Sequence, residues 1–299
     1  MWGRLSQTNR AILLMIGAIF CFTAMDAAAK AISMQSSPVM ALWARYTGQM
    51  TLVLILVAPR LRSVARTEFP KLQVLRSIFL LGATASFFTG LTFLGLAETT
   101  ALMDINPVLI TLGAAVFLGE KLGPRRILGI AAALVGAMII IRPGSGVFSW
   151  AAIFPLMAAV FYSAYSLATR FVGHREDPWT SLLYAALFGS VVMTGIAIFN
   201  WHTPDCTTIA LMLVLSVVAT LGQLFLIRAL AGGEAAMLAP FAYSGLIFAT
   251  LWGLLFFDEF PDFWTIVGAV VVVAAGLYVW HRETRAAPAL ARAKADEGH

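Results

Sequence analysis

The residues able to do chemistry in this sequence are few, and most of them stand where water is scarce. The apolar stretch "ALMDINPVLI", residues 101–110, holds Asp104, Asn106 and Pro107 within four positions. "AMDAAAKA" carries Asp26 and Lys30, and "WARYTGQ" carries Trp43, Arg45 and Tyr46. Tyr162, Gln223, Arg228 and Tyr243 are further polar groups in long apolar runs. Two acids and two bases of this kind could hold ion pairs, carry a proton or grip the charged end of a ligand. A charge at the centre of a bilayer costs on the order of 3 kcal/mol or more, so such side chains face a bundle interior or a wet cavity and mark substrate and ion pathways. Pro107 cannot donate to the carbonyl of Met103, and its ring crowds that turn. The freed carbonyl needs water, a polar neighbour or a ligand, and Asn106 offers donors and an acceptor beside it.

Other chemistry finds no support. The two cysteines, Cys21 and Cys206, give no disulfide framework, and the four histidines lie outside the apolar cores, His281 at the very end of the last run, with no ligand spacing. No metal and no cofactor are expected. A membrane enzyme would need a nucleophile–base set or a metal inside the spans, and the absence of histidine there argues against one. The chain reads as a non-enzyme.

The elements that position these residues follow from composition. Of 299 residues, 60% are hydrophobic and 12% are charged, against roughly 25% charged in a soluble domain. The class is all-α integral membrane protein. Ten runs reach or approach the roughly 20 residues that cross a bilayer, at about 11–33, 37–58, 72–96, 99–119, 124–141, 148–170, 179–199, 206–231, 235–257 and 262–281. The small residues of "AMDAAAKA" resemble a cleavage site, but the first run is long for a signal peptide, and it reads as a retained span. Lys and Arg set the direction. One side holds Arg4, Arg10, Arg60, Arg62, Arg66 and Lys71, then Lys121, Arg125, Arg126 and Arg175, then the tail; the other has little beyond Arg142. Both termini are expected in the cytoplasm, with a disordered tail over 282–299. The formal charge of +5 comes from these loops, and no nucleic-acid partner is expected.

Depth then groups the charges. With a rise of about 1.5 Å per residue, Asp104 lies about 8 Å below the periplasmic surface, and Arg45 and Asp26 about 10 Å below it. Lys30 stands one turn above Asp26 on the same helix face. Three helices thus place charges at one level, which predicts a polar chamber bounded by spans one, two and four. Closed salt bridges locking those spans are the alternative reading.

"AAVFLGEKLGPRRILGIAAALVG" and "GLLFFDEFPDFWTIVGAVVVVAAG" align Glu120 with Glu259 and Gly129 with Gly268 at one offset. "DAAAK" at 26–30 likewise matches "SLATR" at 166–170, one residue further apart, so that Lys30 corresponds to Arg170. Five spans per half is an odd number, so the second half enters the membrane from the other side. Inverted-topology repeats of this kind are common in secondary transporters. The halves are 1–143 and 144–281. At the same offset Asp104 corresponds to Tyr243 and Asn106 to Gly245, so the chamber is charged on one side only.

With these motifs, "FLGEKLGPRRILGIAAALVGAMII" and "LAPFAYSGLIFATLWGLLFFDEFPDFWTIVGAVVVVAAGLYV", the chain resembles the drug/metabolite transporter superfamily, EamA type. The resemblance implies ten helices, a central cavity and alternating access in a bacterial inner membrane. It leaves the substrate open, since similar proteins move amino acids, vitamins such as riboflavin, nucleobases, S-adenosylmethionine and drugs. The second motif departs from many members by carrying Asp258 where they have Gly.

The expected function is therefore a secondary active transporter for a small polar or amphipathic metabolite, amino-acid-like or charged at one end, with protons as a coupling partner. A riboflavin-like, nucleobase-type or S-adenosylmethionine-type carrier is the alternative. Substrate-binding or coupling candidates are Asp26, Lys30, Arg45, Asp104, Asn106, Tyr162, Tyr243, Trp43 and Gln223. Pro107 and Arg228 are gate candidates, the latter with Glu234 as a partner. Glu120 and Glu259 read as structural. The partners are a small-molecule substrate and the bilayer, and the assembly is left between monomer and homodimer.

Overall fold

The computed structural model describes residues 7–118, 124–142, 149–172, 176–232 and 235–296, with side chains described from 9 to 281 except at 118–126, 143–148, 170, 172–175, 231–237 and 239. Glu120, Arg170 and Glu234 therefore lie outside the described side chains. The described elements are all helices. They are α1 (Gln7–Gln35), α2 (Pro38–Val57), a short α3 (Leu61–Val64), α4 (Pro70–Gly90), α5 (Leu96–Met103), α6 (Asn106–Leu118) and α7 (Pro124–Ile141). The second half has α8 (Ile153–Val172), α9 (Pro178–Phe199), α10 (Cys206–Gly232), α11 (Ala235–Ala242), α12 (Ser244–Phe257) and α13 (Phe263–Asp296).

Local chemistry sets many of these boundaries. Four helices open on proline (Pro38, Pro70, Pro124 and Pro178), where the missing N–H is one the helix could not have used. Ser37 caps α2 by accepting from the Met40 N–H, and Asp177 caps α9 by accepting from the Trp179 N–H. Among the described residues nine segments are long and apolar enough to cross a membrane, and a shorter apolar one spans Ile127–Ile141. The fourth span is α5 plus α6 and the ninth is α11 plus α12. Where the sequence suggests an unstructured tail from Arg282, α13 continues as helix to Asp296.

The packing repeats under exchange of the halves. The most extensive contacts join α1 to α10, α4 to α8, α7 to α13 and α2 to α9. In spans these are 1–8, 3–6, 5–10 and 2–7. Exchanging the halves turns 1–8 into 6–3 and maps the other two onto themselves, as an inverted repeat requires. Spans five and ten meet backbone to backbone. A Cβ at Gly136 would sit 2.9 Å from the Gly268 carbonyl oxygen, and one at Gly268 would sit 2.7 Å from that of Gly136. Only glycine permits that approach. The largest core cluster joins α1, α2, α4 and α10, including Ile32, Met40, Tyr46, Phe88 and Leu215. Large apolar side chains such as Phe117, Leu128, Val191, Ile198 and Phe256 point outward. Such a surface suits lipid rather than water.

Candidate functional site

Spans four and nine are both interrupted, and at corresponding positions. Span four breaks at Asp104–Ile105 and span nine at Tyr243, the pair that the repeat offset aligns. In the first half the cause is Pro107. It lies in the first turn of α6, so its missing N–H starts a new helix rather than kinking an old one. The Met103 carbonyl that it leaves free accepts from Asn106 Nδ2 at 3.2 Å. The Asn106 amide thus closes the break itself. The Asn106 carbonyl accepts from Ser163 Oγ on α8 at 3.1 Å. In the second half α11 contains Pro240, and Tyr243 N–H donates to the Pro240 carbonyl at 3.3 Å, a three-residue rather than four-residue step.

Asp104 lies close enough to Tyr243 for its charge to act on the phenol. Asp104 Oδ2 and Tyr243 Oη are both buried, and neither has a hydrogen-bond partner. Tyr243 Oη presses on Gly276 of α13, where an added Cβ would lie 1.7 Å away. A buried polar atom without a partner forfeits on the order of 1–3 kcal/mol. Two such atoms at the two helix breaks form a corner that would welcome a proton, a cation or a polar ligand group.

Arg45 makes a second centre. It is 8% exposed, and its Nε has no hydrogen-bond partner. Its guanidinium carbon lies 5.3 Å from the Tyr46 ring centroid and 5.7 Å from that of Phe88. No carboxylate among the described residues comes within 4.0 Å of it. Asp26 and Tyr162 are close enough to interact with it electrostatically, and Tyr165 packs on Tyr162 with ring centroids 5.8 Å apart. The charges expected at one level therefore fall into two groups. Asp26, Arg45 and Tyr162 share one region, and Asp104 pairs with Tyr243 in another. The two adjoin at α8, where Tyr162 and Ser163 are neighbours.

Lys30 belongs to neither centre. It turns away from Asp26 and donates to Glu259 Oε1 at 2.5 Å, Glu259 Oε2 at 2.8 Å and the Leu94 carbonyl at 2.8 Å. Glu259 also accepts from the Leu96 N–H at 3.2 Å. Lys30 is thus occupied by a carboxylate of the protein, and Glu259, read from sequence as a helix-end residue, is its counter-ion. Asp258 explains the "FDE" departure. It ends α12 at φ 53°, a left-handed position that glycine takes without strain and that Asp tolerates better than most.

Other candidates lie at the edges. Trp43 Nε1 donates to Thr194 at 3.2 Å and its ring meets Trp201 edge-on, which puts it at the rim between α2 and α9. Gln223 is partly buried on α10, and Arg228 is exposed near the end of that helix.

One buried group carries no sequence expectation. Arg76, 5% exposed, donates to Thr169 at 3.0 Å, Gln73 at 3.0 Å, Ser181 at 2.7 Å and Tyr165 at 3.5 Å. It ties α4 to α8 and α9 near the end of the bundle where α1 begins, here called the amino end. Its signal was an arginine six residues inside an apolar run. Glu176 extends this network by accepting from Thr67, Gln73 and the Glu68 N–H. Burial pushes the Glu176 carboxyl up, and these hydrogen bonds outweigh it and hold the group below its ordinary value. At the opposite, far end, Arg142 Nη2 meets Asp262 Oδ2 at 2.6 Å.

Paired breaks and half-exchanged packing agree with a chain built of two related halves. Residues 9–142 match the EamA-like transporter family, and residues 149–280 match it again. The chain belongs to that family. Its relatives include a riboflavin transporter of Rhizobium johnstonii, 32% identical over 221 residues that cover 74% of this chain and 73% of the relative. A pseudopaline exporter CntI of Pseudomonas aeruginosa is 29% identical over 267 residues, 88% of this chain and 93% of the relative. An S-adenosylmethionine uptake transporter of Rickettsia felis is 25% identical over 225 residues, 75% of this chain and 76% of the relative. A solved crystal structure shares the EamA-type fold at TM-score 0.64 and 19% identity, covering 90% of this chain and 95% of that one. This chain is a multi-pass membrane protein of a bacterial transporter family.

Proposed function

We propose that this protein is a secondary active transporter of the inner membrane, with both termini cytoplasmic, that moves a small amphipathic metabolite with an anionic end by alternating access. Arg45 is the observation that carries this reading. A buried guanidinium with an unpartnered N–H and, among the described residues, no carboxylate in contact has donors open to an anionic ligand group, with Asp26 only a more distant neighbour. Tyr46 and Phe88 wall it, and Tyr162 and Tyr165 give ring surface nearby. That surface supports a second reading, a flat aromatic substrate of the kind named for the Rhizobium relative.

Asp104 is the proposed proton carrier. It is an acid at a helix break with a buried, unpartnered oxygen, whereas His281, the histidine found in the described spans, is the last residue of the tenth span. Purified protein in liposomes tests both roles. Melting-temperature shifts with riboflavin, S-adenosylmethionine and a panel of amino acids select a ligand, and uptake of that ligand is then driven by a pH gradient. Accumulation against its own gradient is expected, and Asp104→Asn abolishes the pH-driven part. Equilibration without accumulation would leave a channel, and wild-type pH dependence in Asp104→Asn would remove the proton role.

A further inference from the structure

Spans four and nine are the interrupted ones among the described residues, and their far halves are α5 and α12. These halves pack on each other, and α12 packs on α1. Each ends at a break with weakened main-chain bonding. Pro107 has no N–H to give, Pro240 gives none in the second half, and around Tyr243 the described bonds shorten to three-residue steps, 3.3 Å to the Pro240 carbonyl and 3.2 Å from the Leu246 N–H. A helix joined by so few bonds bends there in preference to elsewhere. The other packed pairs lack such breaks, and some are bolted by side chains, as where Ser216 on α10 donates to the Ala44 carbonyl of α2 at 3.0 Å.

The free tips of the two half-helices meet at Lys30. Leu94 and Leu96 flank the start of α5, and Glu259 follows the end of α12. All three are held by one ammonium–carboxylate pair whose base stands on α1. Gly253 leaves room for this, since a Cβ there would lie 3.2 Å from the Glu259 carbonyl. The two partners differ in exposure. The Lys30 side chain is 4% exposed and that of Glu259 is 34% exposed. When the pair parts, Glu259 is therefore already at the water, and its charge needs little further solvation. A pair buried on both sides would lack that route. The Phe257 ring, 5.2 Å from Lys30 Nζ, gives the lysine a second favourable contact.

We infer that α5 and α12 form the far-end gate of the transport path, hinged at Asp104–Ile105 and at Tyr243 and latched against α1 by Lys30 and Glu259. This rests on the alternating-access reading, and it adds which segments swing and which bond must break. The hinges coincide with the Asp104–Tyr243 corner, so occupancy there and opening at the tips share the same two half-helices.

Site-directed labelling tests the gate without any substrate, so its outcome is separable from whether a transported ligand has been found. Leu94, 5% exposed beneath the latch, is replaced by Cys in the full chain with Cys21→Ala and Cys206→Ala. A membrane-impermeant maleimide is added from the far side of oriented vesicles. Labelling is expected to be slow with the latch intact, at least tenfold faster in Glu259→Gln, and slow again in the exchanged pair Lys30→Glu with Glu259→Lys. An unchanged rate in Glu259→Gln overturns the gate. Lys30→Met replaces Glu259→Gln if the latter does not reach the membrane. If neither inserts, the pair is a folding staple and the gate is likewise overturned.

Discussion

Replacing Arg45 with methionine separates a ligand-binding guanidinium from a structural one, because the first role moves the ligand shift and the second moves the baseline stability. If Arg45 grips a substrate anion, each charge-assisted hydrogen bond contributes about 1.5–3 kcal/mol. Losing one lowers ligand affinity about 10- to 150-fold. Stability should hardly change. The attraction to Asp26 acts across more than 4.0 Å, where it amounts to at most about 4 kcal/mol at an effective dielectric near 20. Removing the ion also relieves a desolvation penalty of several kcal/mol, and methionine keeps favourable contact with the Tyr46 and Phe88 rings. The two contributions offset, leaving an expected change within about 1 kcal/mol. If Arg45 were instead half of a structural ion pair, the same change would cost about 3–5 kcal/mol. For a chain of this size that is a drop of roughly 6 °C or more in melting temperature. The assay is thermal unfolding of purified protein with and without the ligand selected above. Expected is an unchanged baseline with the ligand shift lost, and Arg45→Lys restores part of the shift. A baseline lowered by more than about 6 °C with the ligand shift intact would refute the argument.

Other outcomes follow from single contacts. Asp258→Gly relieves a left-handed backbone and should raise stability by up to about 1 kcal/mol, read as a higher melting temperature. Gly276→Ala places a methyl on the Tyr243 hydroxyl and should cost about 1–3 kcal/mol; the cost should vanish in a Tyr243→Ala background, as a double-mutant cycle would show. Glu176 is held below its ordinary value, so its stabilising contribution is present above the unfolded carboxyl's midpoint near pH 4.3, roughly, and is lost as pH falls through the lower folded value. Thermal unfolding between about pH 3 and pH 6 should show an acid-side loss in the parent that Glu176→Gln lacks.

Much of the fold is legible in the sequence because bilayer thickness fixes span length and because proline and capping residues mark where spans begin. Pro38, Pro70, Pro124 and Pro178 announce four helices before any contact is known. Pro107 likewise announces a break, and the repeat offset carries that break to Tyr243, where the second interruption lies. What depth arithmetic could not supply is rotation about each helix axis. Lys30 and Asp26 share a turn, yet Lys30 meets a carboxylate 229 residues away while Asp26 lies toward Arg45. Glu259 looked like a helix-end acid because its partner arrives from the other half of the chain. Arg76 was legible in principle, since a charge in a span is a signal by itself. Its partners Thr169 and Ser181 are common residues whose positions carry no such mark.

The two broken spans carry one last consequence. If the halves were chemically identical, the conformations open to either side would be mirror twins of equal energy, and the molecule would dwell in both for equal times. Asp104 in one half and Tyr243 in the other remove that degeneracy at the pivot itself. On the alternating-access reading proposed above, this mismatch is one source of bias toward one side, and exchanging the two residues should shift the resting population.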